Sequence, residues 1–237
     1  MTTPAYNAVY QILDDAYHDA GVLKEGDTPN GEQIAAGMRR LTDVIMFEQT
    51  QGLKLWLLSD TAVTLVSGQA TYTFTPSGDV NMTRPLRVLQ GYYLDADDVR
   101  RPLTSLSWEE YLSLGQTTSE GAVNSYFVNK QATTMSVTFW LVPDDTAATG
   151  TAHVLLQQQV TQFTGLTETI NFPLEWRIFL RWAVANELAQ GQPETIMNRC
   201  MQMAERYRNA LENWDVEDTQ TTFAPDNRAA YQTGRFR

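Results

Sequence analysis

The amino-acid sequence predicts an α+β fold: a helical bundle formed by the N- and C-terminal helices, an inserted antiparallel β domain, and an extended C-terminal tail. Three observations carry that prediction. Apolar residues recur at spacings of three and four near the N-terminus and again between Phe172 and Val216, the period of a helix with one buried face. In the long middle stretch they alternate instead, as in half-buried strands. Beyond Val216 both periods stop, and the remaining residues are polar and interrupted by Pro225 and Gly234. The expected division is a helical bundle from 1–58 and 170–216, a β domain at 59–169, and a tail at 217–237.

The first helix opens with Pro4, whose missing N–H costs nothing in a first turn. Val9, Ile12, Leu13, Ala16, Tyr17 and Ala20 form its stripe, and Gly21 is a suitable stop. A polar loop, Lys24 to Pro29, leads to a second helix beginning at Asn30. Asn30 with Gln33 resembles a capping box. Ile34, Met38, Leu41 and Ile45 form the second stripe, and Gly52 is the expected end.

Val63 and Leu65, then Tyr72 and Phe74, flank Ser67-Gly68-Gln69-Ala70, which predicts a hairpin turn. Further strands are expected at Leu86 to Leu94, Val99 to Leu103, Ser125 to Asn129, Met135 to Val142 and Ala152 to Val160. Polar turns separate them at Asp95 to Asp98 and Pro143 to Gly150. Ser107, with Glu110 three residues on, marks a short helix start. Helices return at Phe172, with Trp176, Leu180, Ala183, Val184 and Leu188 on one face and Gly191 as the stop. Pro193 opens the last helix, striped by Ile196, Cys200, Met203, Ala204, Tyr207, Leu211 and Trp214. Four such helices need one another to bury their stripes. Leu13, Ile34, Leu41, Leu180, Val184, Cys200, Tyr207 and Leu211 are therefore expected in the core.

Composition narrows the function. The 237 residues are 43% hydrophobic and 19% charged, enough for a packed core. A formal charge of -11 opposes a broad nucleic-acid-binding face. The single cysteine, Cys200, rules out an intramolecular disulfide and fits a reducing compartment. Met1-Thr2-Thr3-Pro4 lacks a signal-peptide pattern, and no apolar run is long enough to span a bilayer.

Catalytic constellations are missing from the sequence, so no enzyme, cofactor or metal site is expected. His18 and His153 are the only histidines and have no ligand-spaced companion. Cys200 lies on an apolar stripe, where a thiol acts as a small hydrophobe. Asp95-Ala96-Asp97-Asp98 begins like a calcium loop, but Val99, Arg100 and Leu106 stand where the third acid, the glycine and the final glutamate belong. A hairpin turn accounts for it better. There is no phosphate-binding glycine loop and no Gly-x-Ser-x-Gly elbow.

The tail is chemically distinct. Its last ten residues contain Arg228, Arg235 and Arg237, with Tyr231 and Phe236 interleaved, and no acid. Arg and aromatic residues anchor interfaces, and so short a segment needs a partner to offset its ordering entropy. These five residues, Arg228, Tyr231, Arg235, Phe236 and Arg237, are the candidate partner-binding site, toward another protein chain.

Several segments together resemble the head-to-tail adaptor (tail accessory factor) family of short-tailed bacteriophages. They are Ala20 to Leu23, Met38 to Asp43, Gly52 to Trp56, Val66 to Phe74, Arg84 to Val88, Pro102 to Tyr111, Leu141 to Asp144 and Phe172 to Trp176. Their order, across most of residues 5–215, carries the resemblance. Near Gly121-Ala122-Val123-Asn124 the chain lacks the Gly-x-Pro-x-Tyr frequent in that family. The resemblance implies a virion protein assembled in the host cytoplasm at the head-tail junction. Such proteins form a ring, usually a dodecamer, on the portal protein; the ring extends the DNA channel and provides a platform for the tail tube or nozzle protein. DNA passes through without specific binding, and no membrane is involved. Competing readings are a tail tube, nozzle or tail-completion protein, a virion-associated wall hydrolase, and a carbohydrate-binding β module.

Overall fold

The computed structural model describes residues 8–52, 55–160, 165–169 and 172–214. The capping boxes at Asn30 and Ser107 form as predicted, whereas the second helix stops at Glu48, short of Gly52, the later helical stretch begins at Leu174 and not at Phe172, and Pro4 lies outside the described residues. Helix α1 spans Val9–Asp19 and ends where Gly21 adopts a φ of 68°. Helix α2, Gly31–Glu48, carries the Asn30/Gln33 capping box with both reciprocal hydrogen bonds. Helix α3 is the short Trp108–Leu112 element, boxed in the same way by Ser107 and Glu110. Helices α4, Arg177–Leu188, and α5, Glu194–Trp214, complete the set among the described residues.

Among the described residues ten strands run in chain order: β1 Leu58–Thr64, β2 Thr71–Thr75, β3 Val80–Asn81, β4 Arg87–Leu94, β5 Arg100–Leu106, β6 Glu120–Gly121, β7 Ser125–Lys130, β8 Met135–Trp140, β9 Val142–Pro143 and β10 Thr151–Gln157. Eight of them form one sheet in the order β1-β10-β4-β5-β7-β8-β2-β3, and β6 and β9 make a separate pair. The expected Asp95 to Asp98 hairpin is present: β4 and β5 pair antiparallel, and Asp95 N–H donates to Val99 O at 3.2 Å.

Two expectations about the sheet are corrected. The β region is mixed, because β5 pairs with β7, β2 with β3 and β6 with β9 in parallel. A parallel neighbour needs a crossover, and the segment containing α3 supplies the one between β5 and β7. Secondly, Ser67 to Ala70 does turn, with Gln69 N–H donating to Val66 O at 3.0 Å, but its flanking strands do not pair. In a flat sheet six spacings of about 4.8 Å, about 29 Å in all, would separate β1 from β2. The seven residue steps from Thr64 to Thr71 reach at most about 25 Å. The sheet must therefore curl until its two edges approach. A cavity of about 410 Å³ between them is lined from both sides, by Ala62 and Thr64 of β1 and by Val80 and Asn81 of β3.

Two hydrophobic clusters result. One fills the curled sheet and includes Tyr72, Phe74, Tyr126, Met135, Val137, Phe139, Val154 and Leu156. The other is shared by α1, α2, α4 and α5, with Leu13, Leu41, Trp176, Leu180, Val184 and Cys200 at its centre. Gly37 permits the close approach of α1 to α2, since a Cβ there would lie 3.1 Å from Leu13 and 3.2 Å from Tyr17. Arg177 pairs with Asp15 at 2.6 Å, and one turn on Arg181 pairs with Asp19. Because both pairs advance by four residues, α1 and α4 run in roughly the same direction.

Three members of the expected core are only half-buried: Ile34, Tyr207 and Leu211, while Trp214 is 67% exposed. The stripe of α5 outlasts the helices available to cover it, and Cys200 is its one fully buried member. Leu211→Ala is accordingly expected to cost about 1–2 kcal/mol in urea denaturation, below the roughly 2–5 kcal/mol of a fully buried leucine.

Candidate functional site

The candidate tail residues Arg228, Tyr231, Arg235, Phe236 and Arg237, and the extended tail as a whole, lie outside the described residues. What the structure adds is surface on which a partner segment can sit. Helices α2, α4 and α5 enclose a groove of about 170 Å³. Val44, Phe179, Ala183 and Ala204 line its apolar part, and Glu187 and Glu205 stand exposed at its rim. Phe47 lies beside them and is 57% exposed. At one end Arg208 reaches Glu48 at 3.4 Å and Glu212 at 3.1 Å. The groove is apolar in part, and its charged lining is Glu48, Glu187 and Glu205 against the single cation Arg208, which Glu48 already pairs, so the net negative remainder complements a short segment carrying aromatic and guanidinium groups.

Sequence periodicity missed this groove because its walls come from three helices far apart in the chain. One signal was present. Phe47 falls two positions after Ile45, roughly 200° round the helix from the stripe, so an aromatic stands on an otherwise polar face.

A second exposed apolar feature lies on the β side. Trp108 and Leu112 of α3 are 56% and 73% exposed, and Trp108 and Tyr111 both pack on Phe127 with ring centroids 4.6 Å away. Its charged neighbours, Glu109 and Glu110, are acidic like the groove rim. On the outer face of the sheet Tyr92 stacks on His153 at 4.8 Å. Tyr92 Oη donates to Asp60 at 2.7 Å, and Arg100 lies 4.8 Å over the Tyr92 ring. These groups satisfy one another across neighbouring strands.

The residues weighed for chemistry are held in structural roles. Cys200 is fully buried; burial raises its pKa and keeps it a thiol, directed at the Asp19 carbonyl 3.6 Å away. His18 contacts the Asp14 and Lys24 carbonyl oxygens at 2.8 and 3.1 Å, and the first of these contacts raises its pKa most. The Asp95 carboxylate accepts from Val99 N–H at 2.9 Å and Asp97 N–H at 3.1 Å and pairs with Arg101 at 2.8 Å. The bond from Val99 does most to hold its pKa below the usual carboxylate range. Among the described residues no three His, Cys, Asp or Glu side chains are grouped to hold a metal ion. No described helix is long and apolar enough to cross a membrane.

No family model matches the sequence, and no curated protein matches it. Among solved structures the chain is similar to one from "Neck of empty GTA particle computed with C6 symmetry", at 12% identity and a TM-score of 0.28, over 87% of this chain and 92% of that one. That likeness is too slight to bear on function.

Proposed function

We propose that this chain is a non-catalytic structural adaptor at the head-to-tail junction of a phage-type particle. Copies form a ring that docks on the portal, extends the DNA channel and offers a platform for the tail. The carrying observation is the order of the segments that resemble the adaptor family. They fall on corners of the fold: the Val66 to Phe74 turn and strand, the Pro102 to Tyr111 passage from β5 into the capped α3, and the Phe172 to Trp176 entry to α4. The helices from both ends of the chain act as one bundle in this reading, and the curled sheet projects from it. A net charge of -11 suits a conduit, because a negative lumen lets DNA slide without adhering.

Electron microscopy of the purified chain, alone and mixed with the portal ring of its own particle, tests the proposal. A ring seated beneath the portal is the expected result. A ring found only at the far end of the tail would instead make the chain a tube or nozzle protein. Residues 228–237 are assigned to partner contact. Deleting them is expected to leave Tm almost unchanged, within about 1 °C, since a segment of this length adds little to a core. The same deletion is expected to weaken attachment to the portal sharply, whether the tail touches the portal itself or holds neighbouring copies together in the ring that docks there. Attachment of the intact chain should fall steeply with added salt, as Arg-carboxylate contacts are screened. Unchanged attachment after deletion would move the docking surface to the helices.

A further inference from the structure

We infer that the groove between α2, α4 and α5 is the seat of residues 228–237 of the adjacent copy in the ring. The inference rests on the ring reading above and names the contact that links one copy to the next.

A ring that closes head-to-tail needs two unlike patches on every subunit, each fitting the other. This chain carries such a pair. The groove has Phe179, Ala183 and Ala204 within it and Glu187 and Glu205 exposed at its edge. The C-terminal ten residues present two aromatics, three arginines and no acid. Arg235 and Arg237 fit carboxylates at the rim through charge-assisted hydrogen bonds. Tyr231 and Phe236 supply rigid rings for the apolar part, at low entropic cost. The exposed Trp108 and Leu112 of α3 do not fit as well, because Glu109 and Glu110 beside them would face Glu187 and Glu205.

Reach permits a neighbour, and ring closure selects it. Residues 215–227 separate α5 from the arginine-bearing end, and that length of extended chain spans up to about 45 Å, more than the roughly 30 Å diameter of a small domain. Trp214, the end of α5, stands six residues beyond Arg208, about 9 Å along the axis. The helix therefore carries the chain away from its own groove before the tail begins. Each copy in a closed ring would hold one tail and offer one groove, so a weak single contact is multiplied by effective concentration.

Disulfide trapping in the full-length chain tests this. Asn186→Cys places a thiol in the groove, and Gln232→Cys places one in the tail while sparing the aromatic and arginine anchors. Cys200 is buried and does not compete. In portal-bound rings of the double variant, oxidation is expected to produce a ladder of linked copies. Glu187→Arg with Glu205→Arg should lower the yield about tenfold, equivalent to one order in the local equilibrium. Arg235→Glu with Arg237→Glu should restore it. The two glutamates are exposed, so an unchanged Tm is expected in the charge-reversed chain. Linked monomers without a ladder would overturn the assignment to a neighbour. Rings that assemble with no cross-link would empty the groove of the tail while leaving the adaptor reading intact. Absence of any ring would remove both.

Discussion

Trp176→Ala is expected to lower the unfolding free energy by about 3–5 kcal/mol, the range for an aromatic deleted from a core. Trp176 is fully buried and stands where the chain re-enters the helices. Phe179 meets its ring edge-on at 5.8 Å, Phe172 lies at 6.1 Å and Trp56 at 6.5 Å. These rings connect the exit of α2 to the start of α4, so truncation opens a cavity on which helices from both ends of the chain converge. Trp176→Phe retains much of the ring contact and should lose less. The check is urea denaturation followed by circular dichroism, with the midpoint lowered and the slope unchanged. A loss for Trp176→Ala below about 1 kcal/mol would show that these helices do not depend on the ring for their common core. If the groove is the ring contact proposed above, a destabilised helical cluster should also assemble poorly, since the groove is built from α2, α4 and α5.

The contrast between Trp176 and Trp214 shows what was legible in the sequence. Both fall on clean apolar stripes, yet one is fully buried and the other 67% exposed. Periodicity reports which face of a helix is apolar, not whether another element is there to cover it. Local chemistry read well: the Asn30 and Ser107 caps, the Gly21 turn and the Asp95 to Asp98 hairpin each depend on a few neighbouring residues. Sheet order did not read, because alternation identifies the buried face of a strand and says nothing of its neighbour. The Ser67 to Ala70 turn therefore looked like a hairpin, although it carries the chain from one edge of the curled sheet toward the other. The groove is hidden for a related reason. Val44, Phe179 and Ala204 meet only in three dimensions, and Phe47 alone, out of phase with its stripe, marked the place.

Gln157→Leu should be the second most costly single change, lowering stability by about 2–3 kcal/mol. Gln157 is 1% exposed and lies in a polar junction between the two hydrophobic clusters. Its Nε2 donates to the Gln49 carbonyl at the end of α2, at 3.2 Å, and its Oε1 accepts from Arg87 Nε at 2.5 Å. Arg87 donates in turn to the Gly52 carbonyl at 2.8 Å, and Gln49 Oε1 accepts from Val160 N–H at 3.0 Å. Helix α2 is thereby tied to β4 and β10 by hydrogen bonds, beside the apolar contact of its cluster with Leu57 and Val160. Leucine of similar volume would strip the Gln49 carbonyl and the Arg87 guanidinium of a partner, and an orphaned buried group costs more than its bond was worth. Arg87→Met alone should also destabilise, by removing a donor from Gln157. With both substitutions together neither partner of that bond is left stranded, so the double variant should lose less than the sum, by about 0.5 kcal/mol or more. Strict additivity would show that Arg87 and Gln157 act independently. The network Arg87, Gln157 and Gln49 thus couples the end of α2 to β4 and β10, and its loss should be felt by both hydrophobic clusters.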